Sequence, residues 1–421
     1  MATTAVSVAD ICAAAKRASR VLATLDSATK DAALEAIASA LVSRTADILE
    51  ANARDLEAAE SNGLAAHLVD RLALDAGRVA TIAAQVRDIA ALADPVGEVI
   101  GGSRLANGLE MRKVRVPLGV IAIVYEARPN VTIDATALCL KSGNAVVLRG
   151  SSMAMNSNAA LAAVAIEAAE LAGLPAGAIA LVAGGGHREL AELATQSGVV
   201  DLIIPRGGEG LKAALKDVAT IPVIYAASGN CHVYVDATAD LDAAEAIILN
   251  AKVQRPSVCN AAEKLLVHSD VAHAFLPRAL SSLADAGVTL RGDERARAAA
   301  GPVTIGAATE ADWDTEFLAL ELAVGVVDSV QEAIDHINAH GSGHSEAIVT
   351  HDTDAARAFQ LGVDAACVYV NASTRFTDGG EYGMGAEIGN STQKLHARGP
   401  IGMRELCTFK YLVEGSGQIR P

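Results

Sequence analysis

Cys259 lies in the run Val253-Gln254-Arg255-Pro256-Ser257-Val258-Cys259-Asn260, a proline-bearing turn that leads into the apolar stretch Leu265-Leu266-Val267. No second thiol stands near it in sequence to form a disulfide or complete a metal site. A lone cysteine in a turn suits acyl chemistry, because its thiolate is strongly nucleophilic and a nearby cation such as Arg255 can bring its pKa into the working range. Read alone, such a thiol is more often a buried structural residue. A second constellation, Pro205-Arg206-Gly207-Gly208-Glu209-Gly210, ends an apolar strand pattern and opens a helical one. Backbone N–H groups and the helix dipole would converge there on a phosphate, such as the pyrophosphate of a dinucleotide. The order is not G-x-G-x-x-G, and plain turn geometry accounts for it equally well.

The remaining cysteines, Cys12, Cys139, Cys231, Cys367 and Cys407, are scattered, with no C-x-x-C pair and no Cys/His cluster at metal-ligand spacing. Neither a metal nor a disulfide framework is expected. Cys139 and Cys367 read as small core hydrophobes. Arg128, Arg255, Arg375 and Arg398 all fall in motif segments, and the guanidinium fork matches carboxylate and phosphate. They are the substrate-binding candidates, with the division of labour among them left open. His340, His344 and His396 lack any H-E-x-x-H or triad-like setting and read as surface or hinge residues, His344 lying near a domain interface. Residues 379–399 hold six glycines, a density that signals sharp turns or close backbone approach to a ligand.

These residues need a scaffold of more than one domain, since 421 residues exceed the usual single-domain range. Hydrophobic residues make up 51 % and aromatics 3 %, so the core is built from Ala, Val, Leu and Ile, as an α/β fold requires. The formal charge of −16 opposes nonspecific attraction to nucleic acid or anionic membranes. No signal-peptide pattern and no apolar run long enough to span a bilayer is present. A soluble, cytoplasmic protein is expected.

Residues 5–92 read as almost wholly helical. Leu34, Ile37 and Leu41 share one face, and Ile48, Leu49 and Leu56 continue it after a Thr45 cap. From residue 119 short apolar runs alternate with helical stretches: GVIAIVYEA, NAVVLR, AIALVAG, VVDLIIP and PVIYAAS, then KLLVH, ELAVGVVDS, EAIVTHD and ACVYVN. That alternation predicts βαβ units in two largely parallel sheets. Asn107-Gly108, between two alternating runs, predicts a hairpin within 103–117, and ELCTFKYLV near the end reads as another strand.

Cys259 and its surroundings, together with VPLGVIAIVYEARPNVTIDATALCLKSGNAVVLRG (116–150), DLIIPRGGEG (201–210) and FTDGGEYGMGAEIGNSTQKLHARGPIGMREL (376–406), closely resemble the gamma-glutamyl phosphate reductases, a group within the aldehyde dehydrogenase superfamily. The resemblance covers nearly the whole chain. It implies an aldehyde-dehydrogenase-like α/β fold with two Rossmann-like parallel-sheet domains and a small oligomerisation arm. The implied organisation gives 1–102 and 118–230 to a cofactor-binding domain with a helical lead-in, and 231–371 to a catalytic domain containing Cys259. It gives 103–117 and 400–421 to oligomerisation strands, and 372–399 to a Gly-rich return segment.

The same resemblance implies Cys259 as nucleophile, with Asn130 and the Cys259 backbone N–H as oxyanion donors. Residues Arg206, Gly207, Gly208 and Gly210 would cradle the cofactor pyrophosphate, and Glu316 would hold the nicotinamide ribose. Arg149 stands where relatives commonly carry a lysine, and Ser152 where NAD-preferring relatives often carry a glutamate. With Ser151 they offer donors to a 2′-phosphate and nothing to repel it, so NADPH/NADP is the expected cofactor. Hydrolytic relatives place a glutamate in an E-L-G-G pattern ahead of GNCHVYVD, whereas this chain has Ala226-Ala227-Ser228-Gly229. Without that base a thioacyl enzyme should not hydrolyse quickly. The implied reaction is reduction of L-glutamyl 5-phosphate to L-glutamate 5-semialdehyde with release of phosphate, the second step of proline biosynthesis. A homo-oligomer is implied, and glutamate 5-kinase, expected on a separate polypeptide, is a hypothetical transient partner. Two competitors share the signals: a same-fold enzyme using a coenzyme A thioester, and a nucleotide-binding protein that keeps the fold without turnover.

Overall fold

The computed structural model describes residues 6–184, 186–225 and 228–420. The chain divides into two compact units, one of Met1–Tyr225, Met384–Gly389 and Ile401–Pro421, the other of Ala226–Gly383 and Asn390–Pro400.

The first unit opens with five helices, α1 (Val8–Leu22), α2 (Ser27–Ser43), α3 (Thr45–Ser61), α4 (Ala66–Leu72) and α5 (Ala76–Ala91). Ser7 and Asp26 cap α1 and α2 by accepting from the N–H groups of Asp10 and Thr29. Leu34, Ile37, Leu41 and Ile48 are buried as the 3.6-residue period predicts. Thr45 is not a cap. Its hydroxyl donates to the Leu41 and Val42 carbonyls, and the residue at the cap position is Arg44.

A hairpin of β1 (Val99–Arg104) and β2 (Glu110–Pro117) follows, then β3 (Val120–Tyr125), α6 (Asn130–Lys141), β4 (Ala145–Arg149), α7 (Met155–Leu171), β5 (Ile179–Leu181), α8 (His187–Ala194), β6 (Leu202–Arg206) and α9 (Glu209–Val218). Gly108 turns the hairpin at φ 84°, a conformation that only glycine adopts without strain. The central sheet is parallel in the order β5-β4-β3-β6, with β3 and β4 buried along their length. PVIYAAS contributes no strand among the described residues, only an isolated bridge between Ile203 and Val223. Ala226 and Ala227, on which part of the missing-base argument rests, lie outside the described residues.

Asp55 on α3 fixes the turn after β4. One carboxylate oxygen accepts from the Asn156 N–H at 3.1 Å and its amide at 2.8 Å, the other from the Ser157 N–H at 2.7 Å and hydroxyl at 2.6 Å. Asn52 braces the same turn, its amide donating to the Ser157 hydroxyl and the Leu72 carbonyl.

The second unit runs β7 (Cys231–Val235), α10 (Leu241–Val253), β8 (Ala262–His268), α11 (Ser269–Asp285), β9 (Thr289–Gly292), α12 (Glu294–Ala299), β10 (Gly306–Ala307), α13 (Glu310–Asp314), β11 (Glu321–Val327), α14 (Val330–His340), β12 (Ser345–Val349), α15 (Thr353–Gly362) and β13 (Cys367–Val370). Its parallel sheet has the order β10-β9-β11-β8-β7-β12-β13. The edge strand β10 and its neighbour β9 were not among the expected runs, being too short and too polar to stand out. One core, around Phe275, Leu276, Leu280, Val233 and Leu265, packs α10 and α11 on the sheet, and a second, around Tyr234, Ile334 and Phe359, packs α14 and α15 on it.

The expected return segment is shared out: 384–389 go to the first unit, and 390–400, with the ladder of β14 (Asn390–Ser391) and β15 (Gly399–Pro400), to the second. The final strand, β16 (Cys407–Glu414), pairs antiparallel with β2, which makes a three-stranded sheet β1-β2-β16 starting at Val99 rather than residue 103.

Because Asp55 satisfies two backbone and two side-chain donors, Asp55→Ala orphans a buried set and should cost about 3 kcal/mol in denaturant unfolding. A loss under about 0.5 kcal/mol would show that the α3–α7 tie is not structural.

Candidate active site

Four adjacent strands of the second unit, β8, β7, β12 and β13, bring their amino ends together, and Cys259 precedes one of them. Its turn is held from two sides. Gly229 presses so closely on it that a Cβ there would overlap the Cys259 carbonyl oxygen. That oxygen also accepts from the Cys231 thiol at 3.2 Å, and burial pushes Cys231 well above its usual range, so it stays a protonated donor. On the other side the Asn260 amide donates to the Thr377 carbonyl at 2.9 Å, and the Thr374 hydroxyl returns a bond to the Asn260 carbonyl at 2.7 Å.

Cys259 is partly exposed while the other five cysteines are buried. Burial raises Cys12 to about 11 and Cys407 to about 12, and drives Cys139 higher still. The core reading of Cys139 and Cys367 matches their burial.

Arg375 lies within electrostatic reach of Cys259. Burial lowers its pKa, the field of Arg255 adds to that, and Asp378 and Cys259 pull it back up. Its Nε donates to Gln254 Oε1 at 2.7 Å, while Arg255 is exposed. Arg375 thus acts on the thiol, and Arg255 acts on Arg375. Arg398 does neither. Its guanidinium pairs with Asp364 Oδ1 at 3.0 Å elsewhere in the unit.

Glu316 joins the same group, because its Oε1 accepts from the Gly229 N–H at 2.6 Å. Residues the sequence reading missed put it there. Glu263 and Lys264 follow the Cys259 turn on β8, and Glu263 is buried in a 2.9 Å pair with Lys252. Burial pushes Glu263 up and Lys252 down, and their mutual attraction opposes both shifts. The other oxygen of Glu263 accepts from the Leu318 N–H at 3.3 Å, and Lys264 Nζ donates to the Thr315 carbonyl at 2.8 Å. Burial lowers Lys264 to about 8. The loop carrying Glu316 is therefore tied down on both flanks. The available signal was two opposite charges inside an otherwise apolar strand.

The histidine readings divide. His396 is exposed and His340 rests its Nδ1 on Asp314 at 2.9 Å. His344 is not a surface residue: it is 1 % exposed, bonded through Nδ1 to the Ser345 hydroxyl, and lowered by burial to about 4.

In the first unit the expected cofactor residues line the carboxyl edge of the sheet, where ligands of open α/β sheets bind. Gly208 caps α9, and its N–H donates to Glu126 Oε2 at 3.1 Å, so the turn already binds a carboxylate. A Cβ on Gly207 would stand 2.7 Å from the end of the Glu126 side chain and 2.8 Å from that of Leu211, so both would have to shift, whereas Gly210 is open. Arg206 ends β6 beside Asp134, and the Asn130 amide donates to Asp134 at 2.8 Å. Burial raises Asp134 to about 6, against the bond from Asn130 and the field of Arg206. Arg128 is exposed in the turn before α6. Arg149, expected as a donor to a 2′-phosphate, is drawn toward the protein's own backbone. It is 7 % exposed and donates to the Gly186 carbonyl at 2.8 Å, burial lowering its pKa and Glu189 opposing that. Ser151 accepts from the Met153 N–H and caps a short 3-10 turn, which leaves Ser152 exposed.

Among the described residues no group of His, Cys, Asp and Glu could hold a metal ion, and no helix is long and apolar enough to cross a membrane.

Comparison with known proteins agrees with this architecture. The model of the aldehyde dehydrogenase family matches residues 1–311. Gamma-glutamyl phosphate reductases from Thermobifida fusca and Moorella thermoacetica are each 55 % identical over 406 residues, spanning 96 % of this chain and 97 % of theirs. The crystal structure of gamma-glutamyl phosphate reductase from Thermotoga maritima superposes with a TM-score of 0.96 at 45 % identity, covering 99 % of this chain and 100 % of that one. An acetylating aldehyde dehydrogenase from Geobacillus thermoglucosidasius shares the fold at a TM-score of 0.68 and 19 % identity over 98 % of this chain and 97 % of that one. The chain belongs to the aldehyde dehydrogenase family of oxidoreductases, grouped there with the gamma-glutamyl phosphate reductases it matches along nearly its whole length.

Proposed function

We propose that this enzyme reduces L-glutamyl 5-phosphate with NADPH to L-glutamate 5-semialdehyde, releasing phosphate, as the second step of proline biosynthesis. One observation carries the reading: a partly exposed thiol in a turn clamped by Gly229, Cys231, Asn260 and Thr374, with Arg375 acting on it electrostatically. The names of its relatives support the substrate.

The Cys259 thiolate attacks the acyl carbonyl, and its own backbone N–H and the Asn130 amide take up the charge that develops on oxygen. Asn130 gives one N–H to Asp134 and carries a second. Phosphate leaves toward Arg255 and Arg375, whose positive field favours both the thiolate and the departing anion. A thioester on Cys259 remains. A bound NADPH would supply the hydride that converts this thioester to the aldehyde. The turn at 206–208 fits the cofactor's pyrophosphate, because its Gly208 N–H already binds a carboxylate. Glu316 suits the nicotinamide ribose, and Arg149 with Ser151 and Ser152 suits a 2′-phosphate. The sequence 226–229 offers no carboxylate to activate water, and Glu316 Oε1 is engaged by the Gly229 N–H.

The reading also places the enzyme in the cytoplasm as a homo-oligomer, with contact with the kinase as a further hypothesis. On β16 alternate residues Phe409, Tyr411 and Val413 are about half exposed, an apolar row on an edge strand that suits pairing with another copy.

Iodoacetamide should label Cys259 fastest of the six cysteines by peptide mapping, and Cys259→Ser should lose at least about a thousandfold in kcat while keeping NADPH affinity within a few-fold. Substantial turnover by that variant would end the thioester route. Ser152→Glu should weaken NADPH about tenfold or more and leave NADH nearly unchanged; equal losses for both cofactors would remove this segment from 2′-phosphate recognition. Run in reverse with NADP and glutamate semialdehyde, the enzyme should need added phosphate, and arsenate should replace it. Fast phosphate-independent oxidation at matched substrate would mean that a base, Glu316 first among the candidates, deacylates Cys259.

A further inference from the structure

At the amino edge of β12 and β13 a hollow of about 450 Å3 is lined by Gly341, Glu346, Asp364, Lys394 and Arg398, within the size range of small-ligand sites. Two cations share one carboxylate on its wall: Lys394 Nζ bonds one oxygen of Asp364, and Arg398 Nη2 meets the other at 3.0 Å. Arg398 Nε is buried with no partner among the described residues. Glu346, 0 % exposed, also borders the hollow. Its Oε2 accepts from the His232 backbone N–H at 2.6 Å and lies 3.0 Å from His232 Nδ1, while Oε1 has no partner among the described residues. A Cβ on Gly341 would stand 3.1 Å from that Oε1, so the orphan oxygen faces the glycine backbone that lines the same hollow. Buried polar atoms are almost always satisfied, and an exception at a cavity wall calls for a ligand donor.

We propose that this hollow receives the head group of an α-amino acid, with its ammonium on Glu346 Oε1 and its carboxylate on Lys394 and Arg398. Charge and proton count agree. Burial holds Glu346 well above the usual carboxylate range, with the His232 N–H and the field of Lys264 opposing. The ligand-free site then carries Lys394 and Arg398 as cations, Asp364 as an anion and Glu346 as a neutral acid, a net charge of about +1. An entering ammonium stabilises the Glu346 carboxylate, its proton leaves to solvent, and with the zwitterion bound the site is neutral. The other groups facing Glu346 do not supply that proton. His232 on β7 is driven well below its ordinary value by burial, and Cys231 is held protonated. His336 on α14 is lowered to about 3, chiefly by burial, with the fields of His232 and His340 adding to it. Lys264 acts on Glu346 from β8, His340 at the end of α14 acts on His232, and β13 sets Val368 opposite Glu346. Glu346 stands on β12, two strands from β8 in the sheet, a span of roughly 10 Å from the Cys259 strand. The head group has two sources: that of the substrate, which rests on the reaction proposed above, or a free amino acid at a site of its own.

Calorimetry on the full-length enzyme near neutral pH, in buffers of different ionisation heat, should show L-glutamate binding with release of about one proton. Glutarate, which lacks the ammonium, and 4-aminobutyrate, which lacks the α-carboxylate, should bind about tenfold more weakly or worse. Lys394→Met, at an exposed position, should weaken L-glutamate about tenfold and keep the proton release, whereas Glu346→Gln should abolish the release. If the glutamine variant fails to fold, Lys394→Met and the two analogues still decide. In the reverse reaction, competition between L-glutamate and the semialdehyde assigns the hollow to the substrate's head group, and noncompetitive behaviour assigns it to a free amino acid. Equal binding of the three compounds, binding without proton release, or no binding of L-glutamate by wild type that turns over the semialdehyde with phosphate overturns the proposal and leaves the reaction standing. Proton-linked binding without turnover would sink the reaction and keep the receptor.

Discussion

The Cys259 turn depends on a backbone contact that tolerates no side chain, Gly229 packed against the Cys259 carbonyl. Two adjacent parallel strands, β7 and β8, each begin just after one of these residues, so the sheet register of Cys231 on Ala262 sets how closely the two segments approach. Once they are pressed together, the Cys231 thiol reaches the Cys259 carbonyl and the Gly229 N–H reaches Glu316. One missing Cβ thus lets four residues from distant parts of the chain meet. A larger residue at 229 would push the strand entrances apart and move the thiol itself.

The second constraint is electrostatic. The sheet buries Lys252, Glu263, Lys264, His232 and Glu346 in a region where an unpaired charge is costly. Replacing such groups by well-packed apolar residues is often neutral or stabilising, so their presence argues for a positional role. Glu263 and Lys264 show it most plainly, because each also makes a bond to the loop that carries Glu316. Stability and placement are coupled there, and the strand that follows the thiol also fixes the carboxylate beside it.

In the first unit the proposed anion site carries little excess fixed charge. The turn before α9 supplies backbone N–H groups, and the Glu126 carboxylate that accepts from Gly208 shows their polarity. Arg206 ends β6 and Arg149 ends β4, the strands on either side of β3, each close to an acid, Asp134 and Glu189. Such pairing moderates the field, so the phosphate groups of a cofactor would have to compete with carboxylates already present, which favours reversible binding over tight capture.

Local patterns made much of this legible in the sequence. The helical period of Leu34, Ile37 and Leu41, the apolar runs at GVIAIVYEA and EAIVTHD, and the Asn107-Gly108 hairpin each follow from the geometry of a few neighbouring residues, and the strand–glycine–helix turn at 206–210 follows in the same way. Cys259 stood out because its turn has no partner thiol. What the sequence could not determine depends on residues far apart in the chain. PVIYAAS reads as a strand but makes only an isolated bridge, Val223 to Ile203, among the described residues. Arg149 reads as a phosphate donor, but nothing near it in sequence shows that the segment at Gly186, 37 residues on, covers it. His344 reads as a surface or hinge residue and is buried, and nothing in the sequence marks Glu346, which β12 places on His232, 114 residues earlier. Period and turn chemistry are encoded within a few residues, whereas burial and the pairing of charges are set by which strands become neighbours, and only the folded sheet decides that.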